Sequence, residues 1–227
     1  MSDDLKAAAC RKALGHVSSG LVIGLGSGST MAIFTRLLGQ EVRSRELDVK
    51  VIPSSNQAYY SAIESDLEIA TLDEFTNPDI AVDGADQIDH KLNMIKGGGG
   101  ALTREKIVDT ASKFTIIVVD ESKLVESLGV GFPVPIEIIP MATSVLMKEI
   151  VEMGGRGRLR TGSGKVGPIV TDNGNFILDA DFGAIGDPGK LEKELKLLVG
   201  VVEVGIFSDV ADLAYIASRD GVKAIST

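Results

Sequence analysis

The chain is predicted to be an α/β protein: a Rossmann-like, mainly parallel sheet with helices on both faces, plus a smaller α+β domain. Three observations predict this. Short β-rich runs alternate with helical stretches through the first half, as in a parallel sheet built by crossover helices. Five of those runs open into a polar or glycine-rich segment: GSGST, PSSN, DGAD, KGGGG and DESK. Beyond residue 128 the texture changes to proline-punctuated and hairpin-like stretches. The first domain is therefore drawn over 1–127, rejoined by 206–227. A second, an oligomerisation or lid domain, is drawn over 128–205.

Each element has a local justification. Residues 3–19 carry Leu5, Ala8, Ala9, Ala13, Leu14 and Val17 at helical spacing, with Asp3 and Asp4 at the dipole-positive start. LVIGLG (21–26) is an apolar strand, followed by the GSGST loop and a helix that Gly39 is expected to end. DVKVI (48–52), EIATL (68–72), DIAVD (79–83), KLNMI (91–95) and FTIIVVD (114–120) read as further strands. Ser54, Ser55 or Asn56 is suited to cap the helix after PSSN, and ALTREKIVDTASK (101–113) forms another. In the second half, GFPVPIEIIP (131–140) reads as a linker and an edge strand because of its prolines. Residues 141–155 and 188–200 read as helices, the latter with Pro188 in its first turn. TDNGN is a hairpin turn, GVVEVGIF (200–207) a strand, and the tail is expected to rejoin the first sheet.

Bulk properties exclude several function classes. The chain has 227 residues, 44% of them hydrophobic, and a formal net charge of −9 with no basic block. Nucleic acid and anionic membrane surfaces are therefore not expected partners. An anionic small ligand stays compatible, because a local pocket can oppose the global sign. The single cysteine, Cys10, permits no intrachain disulfide, and no Cys/His cluster suggests a metal. Cys10 and His16 read as packing or surface residues of the first helix. The acidic N-terminus lacks the apolar core of a signal peptide, and a cytoplasmic location is expected.

The candidate chemistry concentrates between Asp83 and Lys106, which reads DGADQID, a short apolar bridge, then KGGGGALTREK. Ligand crevices of open α/β sheets lie outside the carboxyl ends of strands. The charged residues are accordingly expected at strand ends rather than buried. Four consecutive glycines cannot pack a core, and they allow backbone to approach a ligand. GSGST between a strand and a helix suits an anion, with backbone amides and the hydroxyls of Ser27, Ser29 and Thr30 as donors. No Gly-Lys-Ser/Thr follows it, and Gly24, Gly26 and Gly28 have the wrong spacing for a dinucleotide fingerprint. A monophosphate therefore fits better than a dinucleotide. Carboxylates and lysines, without a metal-ligand cluster, a Ser–His pairing or a reactive cysteine, leave proton transfer by a carboxylate with lysine stabilising an oxyanion.

These residues resemble the A-type ribose-5-phosphate isomerase family nearly end to end. GLGSGST is similar to the family's GxGSGST loop, DGADQID to its DGADEID, and KGGGGALTREK to its KGGG-A-LTREK. DESK, FPVPIEIIPMA and VTDNGNFILD match later signatures. The resemblance implies interconversion of D-ribose 5-phosphate and D-ribulose 5-phosphate, without metal or organic cofactor, by a homodimer or homotetramer. It implies Glu105 as general base, kept ionised at a helix start, with Lys96 stabilising the enediolate. Asp83 and Asp86 would bind sugar hydroxyls and assist ring opening. Ser27, Gly28, Ser29, Thr30, Gly84, Ala85, Gly97, Gly98, Gly99 and Lys123 would line the phosphosugar. Gln87 departs from the family's acid, and Arg104, Lys106, Asp89, Asp120 and Glu121 read as solvated or ion-paired. Two other readings stay open: a phosphosugar-sensing module and an acyl-CoA transferase with Glu105 as nucleophile. The first lacks a DNA-binding extension, and the compact phosphate loop offers no room for a pantetheine arm.

Overall fold

The computed structural model describes residues 2–164 and 166–226; Met1, Lys165 and Thr227 lie outside them. The chain divides into two compact units. One comprises Met1–Ala85, Arg104–Leu124 and Val210–Thr227, and the other comprises Asp86–Thr103 and Val125–Asp209. Residues 86–103, drawn with the first domain from the sequence, thus pack in the second.

The first unit is a seven-stranded sheet of β1 (Val22–Leu25), β2 (Lys50–Pro53), β3 (Glu68–Ile69), β4 (Ile80–Asp83), β7 (Thr115–Asp120), β13 (Leu213–Ser218) and β14 (Gly221–Ser226), in the order β14-β13-β7-β4-β1-β2-β3. All neighbours are parallel except the edge strand β14, which is antiparallel to β13. Successive side chains of a strand point to opposite faces. Ile23, Leu25, Val51, Val82, Ile116 and Val118 accordingly pack with α1 (Ser2–Leu14), α2 (Ser29–Arg45) and Ala62 of α3 (Asn56–Glu64). Val22 and Ile52 face the other way and pack with Val108 of α4 (Leu102–Ala111). Gly24 lets α4 lie close, since a Cβ there would come 2.5 Å from Val108 Cγ1.

The ends of the first two helices differ from the sequence reading, and the helices read at 141–155 and 188–200 stop at Glu152 and Lys196. The first helix stops at Leu14, because the amides of Gly15, His16 and Val17 bond three residues back, to Lys12, Ala13 and Leu14. Gly39 does not end α2; the helix runs to Arg45 and is capped by Glu46 in the left-handed region at φ 52. Gly39 is instead a close-packing position, where a Cβ would lie 2.3 Å from the Ser65 carbonyl oxygen. Space for a neighbouring helix, rather than a turn, selects that glycine.

The second unit holds two antiparallel sheets. One is ordered β11-β8-β10-β9, from β8 (Val134–Ile138), β9 (Arg156–Leu159), β10 (Phe176–Asp181) and β11 (Val201–Val204). The other is ordered β12-β6-β5, from β5 (Gln87–Ile88), β6 (Met94–Ile95) and β12 (Ile206–Phe207). With α5 (Thr143–Glu152) and α6 (Pro188–Lys196), they bury Ile95, Ile136, Ile138, Leu146, Ile150, Leu178, Leu195 and Ile206. Contrary to the proline-based expectation, β8 is an interior strand. Pro135 lies before its pairing with β11 begins, and its carbonyl accepts from Gly205 N at 2.7 Å. GVVEVGIF is two strands in two sheets, broken at Gly205. TDNGN does turn, with Gly174 N donating to Thr171 O and Thr171 N to Asn175 O, both at 2.9 Å, but among the described residues the run just before it forms the isolated bridge Thr161–Pro168 rather than a strand. KLNMI contributes only Met94 and Ile95 to a strand. No helix among the described residues is long and apolar enough to cross a membrane.

Asp79 ties three segments of the first unit together. Its carboxylate accepts from Lys113 Nζ at 2.7 Å and from Val22 N, at the start of β1, at 2.9 Å. The Lys113 bond first, then the Val22 amide, hold its pKa below the ordinary 3.8. A depressed carboxyl stabilises the fold above its unfolded pKa, and that contribution is lost as pH falls through the folded value. Asp79→Asn is therefore expected to cost about 1 kcal/mol at neutral pH, a figure already reduced for partial exposure. The cost should shrink toward zero in acid below the ordinary carboxyl range. Urea unfolding of both proteins across pH checks it.

Candidate active site

In the first unit, four of the singled-out segments leave the carboxyl ends of strands in one sheet: GSGST after β1, PSSN after β2, DGA after β4 and DESK after β7. Asp83, the last residue of β4, is fully buried. Its Oδ1 accepts from Gly84 N at 2.6 Å. A Cβ on residue 26 would lie 1.9 Å from the Asp83 carboxyl carbon, so Gly26 is what makes room for this carboxylate. Glu105, in the first turn of α4, is 5% exposed. Its position at a helix N-terminus favours a carboxylate electrostatically. The expectation that the charged residues would not be buried fails for both, and also for Lys96 in the second unit, which is 2% exposed. Asp83 does end β4 and Lys96 does follow β6, but a strand end here is not an exposed position.

The loop after β1 forms a hydroxyl cluster. Ser27 Oγ donates to Ser55 Oγ at 2.6 Å and lies 3.0 Å from Ser54 Oγ, while Ser55 caps α3 by accepting from Ala58 N at 3.0 Å. Gly28, at φ 96, precedes α2, which starts at Ser29 and Thr30. Its amide donates to Gln57 Oε1 at 2.8 Å, so a side-chain oxygen already sits where an anion would bind. Lys6 of α1 donates to Ser29 Oγ at 3.0 Å, placing an ammonium beside this helix start. Sequence reasoning missed both Lys6 and Gln57, because nothing local in either helix marks them. Lys123 lies in the short 3-10 turn Glu121–Lys123 directly after β7.

In the second unit, Lys96 follows β6. Its amide donates to Gly205 O at 2.8 Å, and its ammonium lies 5.4 Å from the centre of the Phe207 ring. Asp86 Oδ2 accepts from Gly98 N at 2.7 Å, and a Cβ on Gly98 would come 2.6 Å from Asp86 Oδ1. The Gly97 and Gly98 carbonyls accept from Arg160, a residue the sequence reading passed over. At the far end of the loop, Thr103 donates from Oγ1 to Glu137 at 2.5 Å. Glu137 is fully buried in β8 and also accepts from Thr171, Asn173 and Asn175 of the TDNGN turn.

The remaining residues have structural tasks. Gln87 donates to Val130 O and accepts from Gly129 N, both at 2.8 Å, so each end of its amide is engaged with backbone. Asp89 accepts from the Lys91 and Asn93 amides, and Asp120 from Ser122. Burial pushes the Cys10 thiol up to about 12. His16 bonds Tyr215 at 2.8 Å. No group of three or more His, Cys, Asp or Glu that could hold a metal ion occurs among the described residues.

The contact of Gly26 with Asp83 gives a direct test. Gly26→Ala must displace a buried carboxylate, at a cost of about 1–3 kcal/mol. Thermal unfolding should show that loss, whereas Gly99→Ala, where a Cβ would meet open space, should leave stability near wild type.

Comparison with known proteins identifies the family. Residues 50–221 match the family Ribose 5-phosphate isomerase A (phosphoriboisomerase A). The chain is 54% identical over 202 residues, 88% of each chain, to ribose-5-phosphate isomerase A of Archaeoglobus fulgidus. It is 46% identical to that of Pyrococcus abyssi, over 98% of both chains. Among solved structures, ribose 5-phosphate isomerase A of Methanocaldococcus jannaschii superposes with a TM-score of 0.95 at 46% identity, covering 99% of each chain. A D-ribose-5-phosphate isomerase in complex with phospho-erythronic acid superposes with a TM-score of 0.98 at 45% identity, covering both chains completely. The shared sequence and fold have one explanation: the chain belongs to the ribose 5-phosphate isomerase A family, whose members are aldose–ketose isomerases.

Proposed function

We propose that this protein interconverts D-ribose 5-phosphate and D-ribulose 5-phosphate through an enediolate, with Glu105 as the general base, in the non-oxidative pentose phosphate pathway. The observation that carries the reading is Glu105 itself: a carboxylate with 5% exposure in the first turn of a helix, where the dipole favours the anion needed to accept a proton. Glu105 takes the proton from C2 of the open-chain aldose. The C–H electron pair becomes the C1–C2 double bond, and the aldehyde oxygen takes the negative charge. Lys96 stabilises that charge. A proton passes from O2 to O1, Glu105 returns its proton to C1, and the C2 carbonyl forms.

Asp83 and Asp86 bind sugar hydroxyls and assist opening of the furanose ring; Gly84, Ala85 and Gly97–Gly99 carry the backbone alongside the sugar. The phosphate sits at the start of α2, where it takes the Gly28 amide from Gln57 and meets Ser27, Ser29 and Thr30. Lys6 and Lys123 add positive charge. Binding energy at this remote phosphate holds the reacting carbons in line with the base. Phospho-erythronic acid, bound by a relative, has a planar carboxylate that resembles the enediolate in shape and charge. It is expected to inhibit competitively.

Neither a metal nor an organic cofactor is needed, since a carboxylate and an ammonium suffice for the proton transfers. We place the enzyme in the cytoplasm as a homodimer or homotetramer. The exposed Met141, Val145, Val151, Leu197 and Val199 of the second unit are compatible with subunit contacts.

Ribulose 5-phosphate formation with chelator present tests the reading. Wild type should turn over unchanged, and Glu105→Gln should lose roughly 10²–10⁴-fold in kcat. Lys96→Met should fall about 10²–10³-fold, with most of the loss in kcat. Activity abolished by chelator overturns the cofactor-free mechanism, and a fully active Glu105→Gln puts the base elsewhere. A folded wild type that binds the phosphosugar without turnover favours a sensing module.

A further inference from the structure

We propose that Arg160, oriented by Asp179, is a positioning residue for the glycine loop Gly97–Gly99, and through that loop for Lys96 and Asp86. The proposal rests on the isomerase reading above.

Arg160 is pinned at its backbone. It follows the last residue of β9, its amide donates to Ile177 O at 2.9 Å, and its carbonyl accepts from Ile169 N at 3.1 Å. Its side chain is 15% exposed and that of Asp179, on the neighbouring strand β10, is 7% exposed. Nε donates to both carboxylate oxygens of Asp179, at 3.1 and 3.0 Å, and Nη2 donates to Oδ1 as well. A guanidinium is a rigid planar fork, so a carboxylate on one edge fixes where the remaining nitrogen points. That nitrogen, Nη1, donates to two consecutive carbonyls, Gly97 O at 2.7 Å and Gly98 O at 3.0 Å.

An arginine that served only the sheet would be satisfied by Asp179. The two carbonyl bonds instead reach more than 60 residues back in the chain, to the loop between Lys96 and the start of α4. Their effect on the loop follows from the planar trans peptide, in which C=O and N–H point in opposite directions. Drawing the Gly97 carbonyl to Arg160 turns the Gly98 amide the other way, where it meets Asp86 Oδ2. Drawing the Gly98 carbonyl to the same nitrogen turns the Gly99 amide away from Arg160 too. Asp179, Arg160, the Gly97–Gly98 peptide and Asp86 thus form one connected chain of hydrogen bonds. Four consecutive glycines have the greatest backbone freedom of any sequence. Gly100 N also donates to Gly97 O, at 2.9 Å, but that bond is internal to the glycine run. Without Nη1 both carbonyls would lose their anchor outside the run, and the carboxylate of Asp86 would lose the fixed position of its amide donor. Arg160 touches neither reacting carbon in this scheme; it acts by removing alternatives.

The test compares wild type with Arg160→Met, Arg160→Lys and Asp179→Asn. Steady-state kinetics with ribose 5-phosphate, thermal unfolding, and hydrogen exchange of the peptide covering 97–100 are measured on each. Arg160→Met is expected to lose about tenfold to a hundredfold in kcat through misplacement of the loop. KM should stay within about threefold, because the phosphate end is held elsewhere. Exchange at 97–100 should speed up. Arg160→Lys, which keeps one cationic donor, should recover several-fold of the kcat loss, and Asp179→Asn should fall between. A folded Arg160→Met with wild-type kcat overturns the proposal. So does a kcat loss that lysine does not relieve, or exchange at 97–100 that stays at the wild-type rate. If Arg160→Met does not fold, Asp179→Asn decides: wild-type kcat and exchange overturn the proposal, and a lowered kcat with faster exchange supports it. A wild type that does not isomerise ribose 5-phosphate overturns the isomerase reading instead; the exchange comparison still tests the clamp on the loop.

Discussion

The carboxylate of Asp83 occupies the space in which any residue but glycine at position 26 would place its Cβ. That exclusion orders much of the first unit. It brings the carboxyl ends of β1 and β4 together, with Gly26 N bonded to Val82 O at 2.9 Å. It also keeps a fully buried acid at the end of a strand, where Gly84 N donates to it. A buried charge without such partners would be costly enough to shift its titration or disrupt the fold. The glycine-rich loop after β1 thus has two separate tasks. Gly26 makes room for Asp83, and Gly28, at φ 96, turns the chain into α2. A dinucleotide loop would space its glycines for a pyrophosphate. Here one glycine answers to a carboxylate 57 residues away in the sequence, which is why the spacing fits no nucleotide fingerprint.

The second unit meets a different constraint, the ordering of a segment with almost no side chains. From Lys96 to Thr103 the loop has one internal bond, Gly100 N to Gly97 O at 2.9 Å, and is otherwise held by bonds from outside itself. Gly205 O takes the Lys96 amide, Arg160 takes the carbonyls of Gly97 and Gly98, Asp86 takes the Gly98 amide, and Glu137 takes the Thr103 hydroxyl. Glu137 is itself fully buried and holds the TDNGN turn through Thr171, Asn173 and Asn175. Ordering glycine costs more conformational entropy than ordering any other residue. The run of four is therefore tolerable only because Gly205, Asp86, Arg160 and Glu137 supply these fixed partners.

Much of this was legible in the sequence where the signal is local. The apolar runs ending in GSGST, PSSN, DGAD and DESK are strands of one parallel sheet, and the tail does rejoin it beside β7. The cap at Ser55 and Pro188 at the start of α6 follow from residue chemistry alone. The failures share a cause. Gly39 looked like a helix stop, but its reason for being glycine is the Ser65 carbonyl 2.3 Å from an added Cβ. Gly205 sits inside an unbroken β-rich run, yet a Cβ there would meet Lys96 O at 2.4 Å and Pro135 O at 2.6 Å. Prolines marked β8 as an edge strand, although Pro135 lies just outside the stretch where a second neighbour needs its amide. Close approach between distant segments leaves no trace in a local pattern, and Lys6, Arg160, Asp179 and Glu137 escaped notice for the same reason.

Gln87 illustrates how a departure from a family pattern is read from geometry. As a letter in DGADQID it stands where the relatives' pattern has an acid beside two others, and so invites a catalytic role. In the fold it belongs to β5, 6% exposed, with its amide nitrogen on Val130 O and its amide oxygen on Gly129 N. An amide both donates and accepts, which is what a backbone pair of one carbonyl and one N–H requires. An ionised carboxylate could satisfy only the N–H. The side chain at 87 is therefore selected by the 129–130 backbone rather than by a sugar. Asp83 and Asp86 instead accept from backbone amides, Gly84 N on Oδ1 and Gly98 N on Oδ2. Gln87 thus belongs to the framework that joins β5 to the 129–130 backbone.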